Sequence, residues 1–208
     1  MIILYSTSLH SINREIFPLW CTSQGIEVIE VFSKMELKDR RYPTPDLLIS
    51  DRTDFIFEAD WLEENSFPKV NVHPSLLPLH RGSYPIFWSA LLGSKWGVTL
   101  HEIEEGVDEG PILKQVELDY DDSSSFRDLY YNYRSVSQTM LQSFVATFAL
   151  DQSMNSMEQL GESHLVHKKK ETVPLIERLS RGWDTRIKDA RRELSEEINY
   201  FSVRKDFT

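Results

Sequence analysis

Two polar residues stand two positions apart at the end of one predicted strand. Asn71 and His73 belong to the run at 69–73, in which polar residues alternate with valines and which Pro74 terminates. Because successive side chains of a strand point to opposite faces, both lie on the same face. An asparagine amide can donate to a developing oxyanion, and a histidine can donate to the same oxygen or move a proton. The pair therefore indicates a catalytic site, although a histidine at a strand end is also common as a structural residue.

A second histidine and a carboxylate follow in the chain. His101 lies in the predicted strand 97–103, and Asp108 lies in the acidic glycine loop before the next strand at 111–119. A carboxylate fixes the tautomer of a histidine and raises its pKa. Together these residues suit attack of an amine on a carbonyl carbon without a serine or cysteine nucleophile. Two alternatives remain open: Asp108 as a turn residue, and a zinc hydrolase that uses His73, His101 and Asp108.

The segments around these residues alternate between strands and helices. Short apolar runs predict strands at 2–6, 26–32, 46–50 and 69–73. Helical spacing predicts helices at 12–24 and 59–66. Residues 34–45, charged and with two prolines, predict a loop. This alternation is typical of a parallel sheet with crossover helices, where ligands bind at the carboxyl ends of the strands. We predict an α/β fold: a Rossmann-like, mostly parallel, twisted sheet with flanking helices and a small C-terminal hairpin or helical segment.

The sequence of the second half of the chain predicts more helices, a polar linker and a separate C-terminal segment. Helices are expected at 84–92 and 126–150, the latter opened by a capping pair of Ser125 and Asp128. The polar stretch 151–163 predicts a linker. We therefore divide the chain into a catalytic domain at 1–150, with a shortened N-terminal half, and a C-terminal segment at 151–208. A last helix carries an apolar stripe that either forms a dimer face or folds back on the body: Ile187, Ala190, Leu194 and Ile198.

Composition excludes several classes of protein. The net charge of -10 argues against a nucleic-acid-coating protein, although residues 167–208 hold 11 Lys and Arg against 8 Asp and Glu. Cys21 is the single cysteine, so an intramolecular disulfide and a cysteine zinc site are excluded. No apolar run is long enough for a membrane span. The start has no basic residue before Arg14 and does not predict a secretory signal, so we expect a cytoplasmic protein.

Two longer motifs resemble the signature of the folate-dependent formyltransferases. The first is the run at 71–78 followed by Arg81 and Gly82, and the second is the run at 97–101 followed by Asp108 and residues 110–112. The close match covers about residues 69–115. This family includes glycinamide ribonucleotide formyltransferase, methionyl-tRNA formyltransferase and the sugar N-formyltransferases. The resemblance implies transfer of a formyl group from N10-formyltetrahydrofolate, as co-substrate, to an amine, with no metal.

The resemblance also implies roles for individual residues. Asn71 matches the oxyanion-binding asparagine, and His73 matches the histidine that polarises the formyl carbonyl. Asp108 matches the aspartate that holds the histidine and helps to remove the amine proton, with His101 in a supporting role. The folate would lie against two short segments, although the phenylalanines could equally be core residues: Phe55, Ile56, Phe57, Glu104, Glu105 and Val107.

Departures from the family bear on the amine that is formylated. The glycine-serine-asparagine phosphate loop of the purine enzyme is absent, although Ser6 and Ser8 could still hold a phosphate. The acidic body, and the short stretch after residue 150, speak against a tRNA substrate. Residues 81–85, 167–169 and 182–185 look like the sugar N-formyltransferases. The predicted substrate-binding residues are Ser6, Ser8, Arg81, Tyr84, Lys168 and Trp183, where lysine attracts a diphosphate and tryptophan stacks on a base.

The sequence therefore predicts an N-formyltransferase that acts on a nucleotide-linked amino sugar. Because members of that subgroup are usually dimers, we expect a homodimer, with no nucleic-acid or membrane partner. Two alternatives stay open. One is formylation of another small amine, such as glycinamide ribonucleotide. The other is a folate or nucleotide-sugar binding protein without catalysis, since fewer residues precede Asn71 than is common in the family. The alternative for Lys168 is a solvated surface residue, and the alternative for Trp183 is a packing anchor.

Overall fold

A six-stranded mixed sheet forms the centre of the fold. The computed structural model describes residues 1–9, 11, 13–39, 41–160 and 166–203. Within them the strands are β1 (Ile2–Thr7), β2 (Glu27–Val31), β3 (Leu47–Asp51), β4 (Lys69–His73), β5 (Arg81–Gly82), β6 (Trp96–Glu102), β7 (Ile112–Leu118) and β8 (Val166–His167). β5 and β8 pair with each other, and the remaining strands form the sheet in the order β2-β1-β3-β4-β6-β7.

Helices cover both faces of this sheet. In chain order they are α1 (Asn13–Ser23), α2 (Lys34–Asp39), α3 (Ala59–Glu64), α4 (Pro85–Leu92), α5 (Phe126–Asp151), α6 (Lys169–Arg178), α7 (Ile187–Glu193) and α8 (Ser195–Val203), with a 3₁₀ turn at Gly182–Asp184. The predicted capping pair opens α5, where Ser125 and Asp128 hydrogen-bond each other's backbone. No helix in the described part of the chain is long and apolar enough to cross a membrane.

The direction of the strands changes in the middle of the sheet. β2, β1, β3 and β4 run parallel, whereas β6 is antiparallel to both β4 and β7. The predicted fold class is confirmed, and the antiparallel pair adds a detail that the sequence did not reveal. In this register His101 lies directly opposite Asn71. The two side chains therefore share one face of the sheet, next to that of His73.

Two hydrophobic cores hold the helices against the sheet. The larger core joins one face to α1, α4, α5 and α7, with Phe17, Trp88 and Phe126 among its fully buried side chains. The smaller core joins the other face to α2 and α3 through Leu37 and Trp61. Because the central strands are covered on both faces, they are buried along most of their length, as is usual for parallel sheets.

The predicted loop at 34–45 is wrong over its first half. Residues 34–39 form α2, in which Leu37 is buried against the smaller core. Leu37 is the only buried residue of this short helix, and the charged residues around it face solvent. A single buried apolar residue does not produce a helical period in the sequence, so the helix was not predicted.

The apolar stripe near the end of the chain folds back on the body. Ile187, Ala190 and Leu194 are fully buried in the larger core. Arg191, on the same helix, donates two hydrogen bonds to the carbonyl of Ala90 on α4. The stripe is also split between two helices, α7 and α8. It is therefore not a dimer face, and the homodimer and the division at residue 150 stay predictions.

A buried carboxyl at the end of β3 ties three elements together. Asp51 is fully buried and accepts hydrogen bonds from Tyr5 (2.9 Å), Asn13 (3.0 Å) and Tyr133 (3.1 Å). Burial raises the pKa of Asp51, while these three hydrogen bonds act in the opposite direction. The contacts fix β1, α1 and α5 around the carboxyl end of β3, beside the region where a ligand is expected.

Removing one of these donors should destabilise the fold. Tyr133→Phe deletes the hydroxyl that donates to Asp51 and, at 3.3 Å, to the carbonyl of Val72. Because the carboxyl stays buried, we expect the free energy of unfolding to fall by about 1–3 kcal/mol. Urea denaturation measures this, with Tyr131→Phe as the matched control, since Tyr131 is exposed on the same helix. An equal effect of the two substitutions would contradict the assigned role.

Candidate active site

One cleft collects the residues that the sequence singled out for chemistry. It has a volume of about 670 Å³ and lies at the carboxyl ends of β3 and β4. Asn71, His73, His101 and Asp108 all line it. Strand pairing brings the first three together, and the loop between β6 and β7 brings Asp108 over them.

The carboxylate of Asp108 is the centre of the cluster. Its Oδ2 accepts the backbone N–H of Gly82 at 2.8 Å and lies 3.4 Å from Nδ1 of His73. Its Oδ1 lies 3.4 Å from Nδ2 of Asn71 and 3.6 Å from Nε2 of His101. Burial alone would raise the pKa of Asp108, but the charge of His73 and the surrounding hydrogen bonds hold it well below its usual range. Asp108 is therefore an anion throughout the physiological range.

His101 orients the amide of Asn71. Nδ1 of His101 lies 2.7 Å from the carbonyl oxygen of Glu102, which can only accept, so we place the proton of the neutral ring on Nδ1. Nε2 is then an acceptor and receives an N–H of Asn71 at 3.0 Å. The Asn71 amide is thereby turned with its nitrogen toward the cluster, so its N–H groups are the atoms presented there.

Both ring nitrogens of His73 face acceptors. Nε2 lies 3.0 Å from the carbonyl oxygen of His80, and Nδ1 lies 3.4 Å from Asp108. A neutral imidazole has one N–H and satisfies only one of these acceptors, whereas the protonated ring satisfies both. Burial lowers the pKa of His73, and the charge of Asp108 opposes that shift. This arrangement gives His73 a place to receive a proton and a partner to stabilise it there.

Gln159 and Arg81, which do not line the cleft, hold the loop that carries Asp108. Asp108 has a positive φ of 55°, which costs energy in a residue with a side chain. Gln159 donates to the carbonyls of Asp108 and Gly110 at 2.8 Å each, and its own oxygen accepts from Arg81 at 2.7 Å. Arg81 also pairs with Glu109 at 3.3 Å. These contacts span the turn and fix its backbone.

The other predicted site residues divide into two groups. Those that line the cleft are Phe55, Ile56, Phe57, Tyr84, Glu104, Val107, Lys168 and Trp183. Those that do not line it are Ser6, Ser8, Arg81 and Glu105. Ser6 is fully buried under Thr53, whose hydroxyl donates to it, and Ser8 is buried as well. Arg81 is used instead to hold the loop.

One side of the cleft is apolar and aromatic. Phe55 and Phe57 meet edge to face with centroids 5.4 Å apart, and Phe57 packs on Trp61 at 5.5 Å. The two phenylalanines therefore line the cleft and also extend the smaller core, so both interpretations of them apply. Ile56 between them is 64% exposed, which leaves an apolar surface open to a ligand.

Another part of the cleft is basic and aromatic. Lys168 and Lys169 line it at the start of α6, and the rings of Trp183 and Tyr84 lie 6.2 Å apart. Arg52 also lines the cleft, with its guanidinium 4.7 Å from the centre of the Tyr130 ring. Sequence reasoning missed Arg52 and Tyr130. The position of Arg52 just after a predicted strand is the only signal that could have found it.

Metal binding receives no support from the arrangement of side chains. Among the residues that the structure describes, no group of three or more His, Cys, Asp and Glu is placed to hold a metal ion. In the set considered for zinc, His101 is committed to Glu102 and Asn71, and His73 is committed to His80.

The comparisons with known proteins agree with the motifs. Residues 44–145 match the family model described as Formyl transferase. Relatives include the GDP-perosamine N-formyltransferase of Brucella melitensis, 31% identical over 57% of this chain and 46% of that protein. The methionyl-tRNA formyltransferase of Wolbachia pipientis is 36% identical over 41% of this chain and 29% of its own length. The chain thus spans half or less of the length of these curated relatives.

A solved structure covers nearly all of the chain. The formyltransferase PseJ from Anoxybacillus kamchatkensis, in complex with UDP-4,6-dideoxy-4-formamido-L-AltNAc and tetrahydrofolate, superposes with a TM-score of 0.79. The two chains are 26% identical, and the match covers 91% of this chain and 96% of that one. The resemblance therefore extends beyond residues 44–145 on both sides.

Two histidines form a buried pair behind the cluster. Nδ1 of His80 lies 3.0 Å from Nε2 of His167, and Nε2 of His80 lies 2.6 Å from Oγ of Ser94. Burial lowers the pKa of His80 to about 4, with a contribution from His73. Burial and the neighbouring His80 lower the pKa of His167 to about 3. Both rings are therefore neutral at physiological pH.

This pair should make the fold sensitive to acid. In the unfolded chain each histidine takes up a proton near its ordinary pKa of about 6.5, whereas in the fold it stays neutral until the pH approaches its lowered pKa. Below pH ~6.5 each therefore reduces the free energy of unfolding by up to about 1.4 kcal/mol per pH unit. Urea unfolding between about pH 7 and 5 measures the slope. His167→Gln should flatten it by roughly that amount, and an unchanged slope would contradict the assignment.

Proposed function

We propose that this protein transfers the formyl group of N10-formyltetrahydrofolate to the amino group of a nucleotide-linked sugar. The observation that carries the proposal is the convergence of Asn71, His73 and Asp108 in one cleft, within the part of the chain that matches the Formyl transferase family model. The similarity to PseJ, solved with a nucleotide-linked formamido sugar and tetrahydrofolate, supports both substrate classes.

The long contacts to Asp108 suggest how the site acts. Asn71 Nδ2 and His73 Nδ1 each lie 3.4 Å from the carboxylate, beyond the usual range of about 2.7–3.2 Å for N–H···O bonds. A formyl oxygen in the cleft can therefore compete for the same two donors. As the amine attacks, that oxygen gains negative charge, and both donors then bind it more strongly than they bind the ground state.

The proton and the leaving group complete the reaction. The amine nitrogen forms a bond to the formyl carbon, giving a tetrahedral intermediate, and the bond from that carbon to N10 then breaks. The amine loses one proton and N10 gains one, so the overall reaction needs no other reactant. The anionic carboxylate stabilises the protonated His73 ring, which donates its Nδ1–H to the oxygen, while the carboxylate of Asp108 can accept the amine proton and return it to N10.

Two groups of lining residues, one apolar and one basic, match the two substrates. An apolar surface suited to the pterin ring system is formed by Phe55, Ile56, Phe57 and Val107. The basic side suits a nucleoside diphosphate: lysine and arginine pair with phosphate oxygens, and an indole ring stacks on a base. Its residues are Arg52, Tyr84, Lys168, Lys169 and Trp183.

Substitutions in the cluster should lower turnover strongly without unfolding the protein. We expect Asn71→Ala and Asp108→Asn each to lower kcat by roughly 10²- to 10³-fold, the usual effect of losing an oxyanion donor or a positioned proton acceptor. Release of tetrahydrofolate, with UDP- and GDP-linked 4-amino sugars and glycinamide ribonucleotide as acceptors, measures turnover. Asp119→Asn is the control, since Asp119 is exposed and outside the cleft.

Either of two results would overturn this assignment. Full activity of Asp108→Asn would exclude the proposed mechanism. Tight binding of both substrates by the unaltered protein, with no release of tetrahydrofolate on any acceptor, would favour a binding protein instead.

The lysine run provides a test of the substrate side. Lys168 and Lys169 line the cleft, whereas Lys170, the next residue, does not. We expect Lys168→Gln and Lys169→Gln each to raise the KM for the nucleotide sugar roughly tenfold, because each loses a charge that pairs with phosphate, worth about 1.4 kcal/mol. The KM for the formyl donor should not change. If Lys170→Gln has the same effect, the run is a general surface charge and not part of the site.

A further inference from the structure

The C-terminal part of the chain reaches the active site through the short strand β8. β8 runs parallel to β5, with His167 beside Gly82, and Ser83 donates its N–H to the carbonyl of His167 at 2.8 Å. A Cβ on Gly82 would lie 2.4 Å from that carbonyl oxygen, so the two backbones meet where only glycine fits. The position of β8 therefore fixes Gly82, whose N–H holds Asp108.

The His167 side chain reaches the cluster by a second route. Its Nε2 lies 3.0 Å from Nδ1 of His80, and the carbonyl oxygen of His80 lies 3.0 Å from Nε2 of His73. Its ring stacks on Trp88 at 4.3 Å with an angle of 8°. Trp88 is held in turn by a hydrogen bond from its indole nitrogen to Thr172 on α6, at 3.0 Å. The His167 ring is therefore fixed in position and direction.

The backbone of His80 needs such support. His80 has a positive φ of 53°, a strained conformation for a residue with a side chain, which persists only when its surroundings enforce it. The ring is held on one side by His167 and on the other by Oγ of Ser94. Since His80 is buried, a lost partner leaves a polar nitrogen unsatisfied, and the residue will then move to find another. Its carbonyl moves with it.

We infer that His167 is a positioning residue for the formyl-transfer reaction, acting through His80 to set the orientation of the His73 ring. This rests on the proposed function, because it assigns to His73 the role argued above. His167 supplies a ring nitrogen to His80, His80 supplies its carbonyl to Nε2 of His73, and Nδ1 of His73 is thereby aimed at Asp108 and the cleft.

Two substitutions of His167 separate its nitrogen from its bulk. His167→Phe keeps an aromatic ring on Trp88 but has no nitrogen for His80, whereas His167→Gln places an amide where Nε2 was. Because displacement of a reacting group by about 1 Å can cost 10²-fold in rate, we expect His167→Phe to lower kcat by roughly 10- to 100-fold. Both KM values should stay within about threefold, and His167→Gln should restore most of the rate.

Other outcomes would overturn the inference. Equal losses in His167→Phe and His167→Gln would show that the ring serves only for packing. A raised KM for the nucleotide sugar with kcat unchanged would show that His167, which lines the cleft, contacts the substrate instead. If His167→Phe does not fold, Ser94→Ala removes the other partner of the His80 ring without touching the cleft and should also lower kcat selectively. A normal kcat in a folded Ser94→Ala would then contradict the inference.

A spectroscopic measurement distinguishes failure of this inference from failure of the proposed function. The ¹⁵N signals of the His73 ring report whether Nε2 remains hydrogen-bonded to His80, and they do so without turnover. A shift of Nε2 in His167→Phe that His167→Gln reverses supports the positioning role even if the unaltered protein formylates none of the amines offered. An active enzyme whose His73 signals are the same in all three proteins would leave the proposed function intact and refute the positioning role.

Discussion

The carboxylate of Asp108, whose side chain is only 15% exposed, is the group around which the site is organised. A carboxylate largely removed from water has to be compensated by donors and positive charge, and here the donors come from two separate strands. Gly82 on β5 supplies a backbone N–H, and Asn71 and His73 on β4 supply side chains. The same charge that demands these partners can hold a proton on His73 during the reaction. The Asp108 carboxylate therefore serves both the folded structure of the site and its proposed chemistry.

The segment after α5 completes this site. It contributes Gln159, which holds the Asp108 turn, and His167, which reaches the cluster through His80. It also contributes Lys168 and Trp183 to the basic side of the cleft. Under the proposed function, substrate recognition and catalytic geometry share this one stretch of chain. Exchanging that segment to change the accepted sugar would also disturb the support of His73, which is a constraint on engineering and on divergence.

The sequence predicted the fold class and the four central residues because both depend on local patterns. A period of two placed Asn71 and His73 on one face, and the motifs supplied His101 and Asp108. The direction of β6, which sets His101 opposite Asn71, is not visible in any pattern. Contacts such as that of His80 with His167 join distant parts of the chain and leave no local signal. Ser6 was predicted to bind substrate because of its position at the end of a predicted strand, but Thr53 of the neighbouring loop covers its hydroxyl and Ser6 does not line the cleft.

The central claim is that a formyl group moves from the folate to a sugar nitrogen in this cleft. The most direct measurement uses N10-formyltetrahydrofolate labelled with ¹³C in the formyl group, together with a nucleotide-linked 4-amino sugar, and follows the label by NMR. The account predicts that the label appears in a formamide on the sugar nitrogen, with one tetrahydrofolate released for each amide formed. Label that appears as free formate, or that stays on the folate, would contradict it.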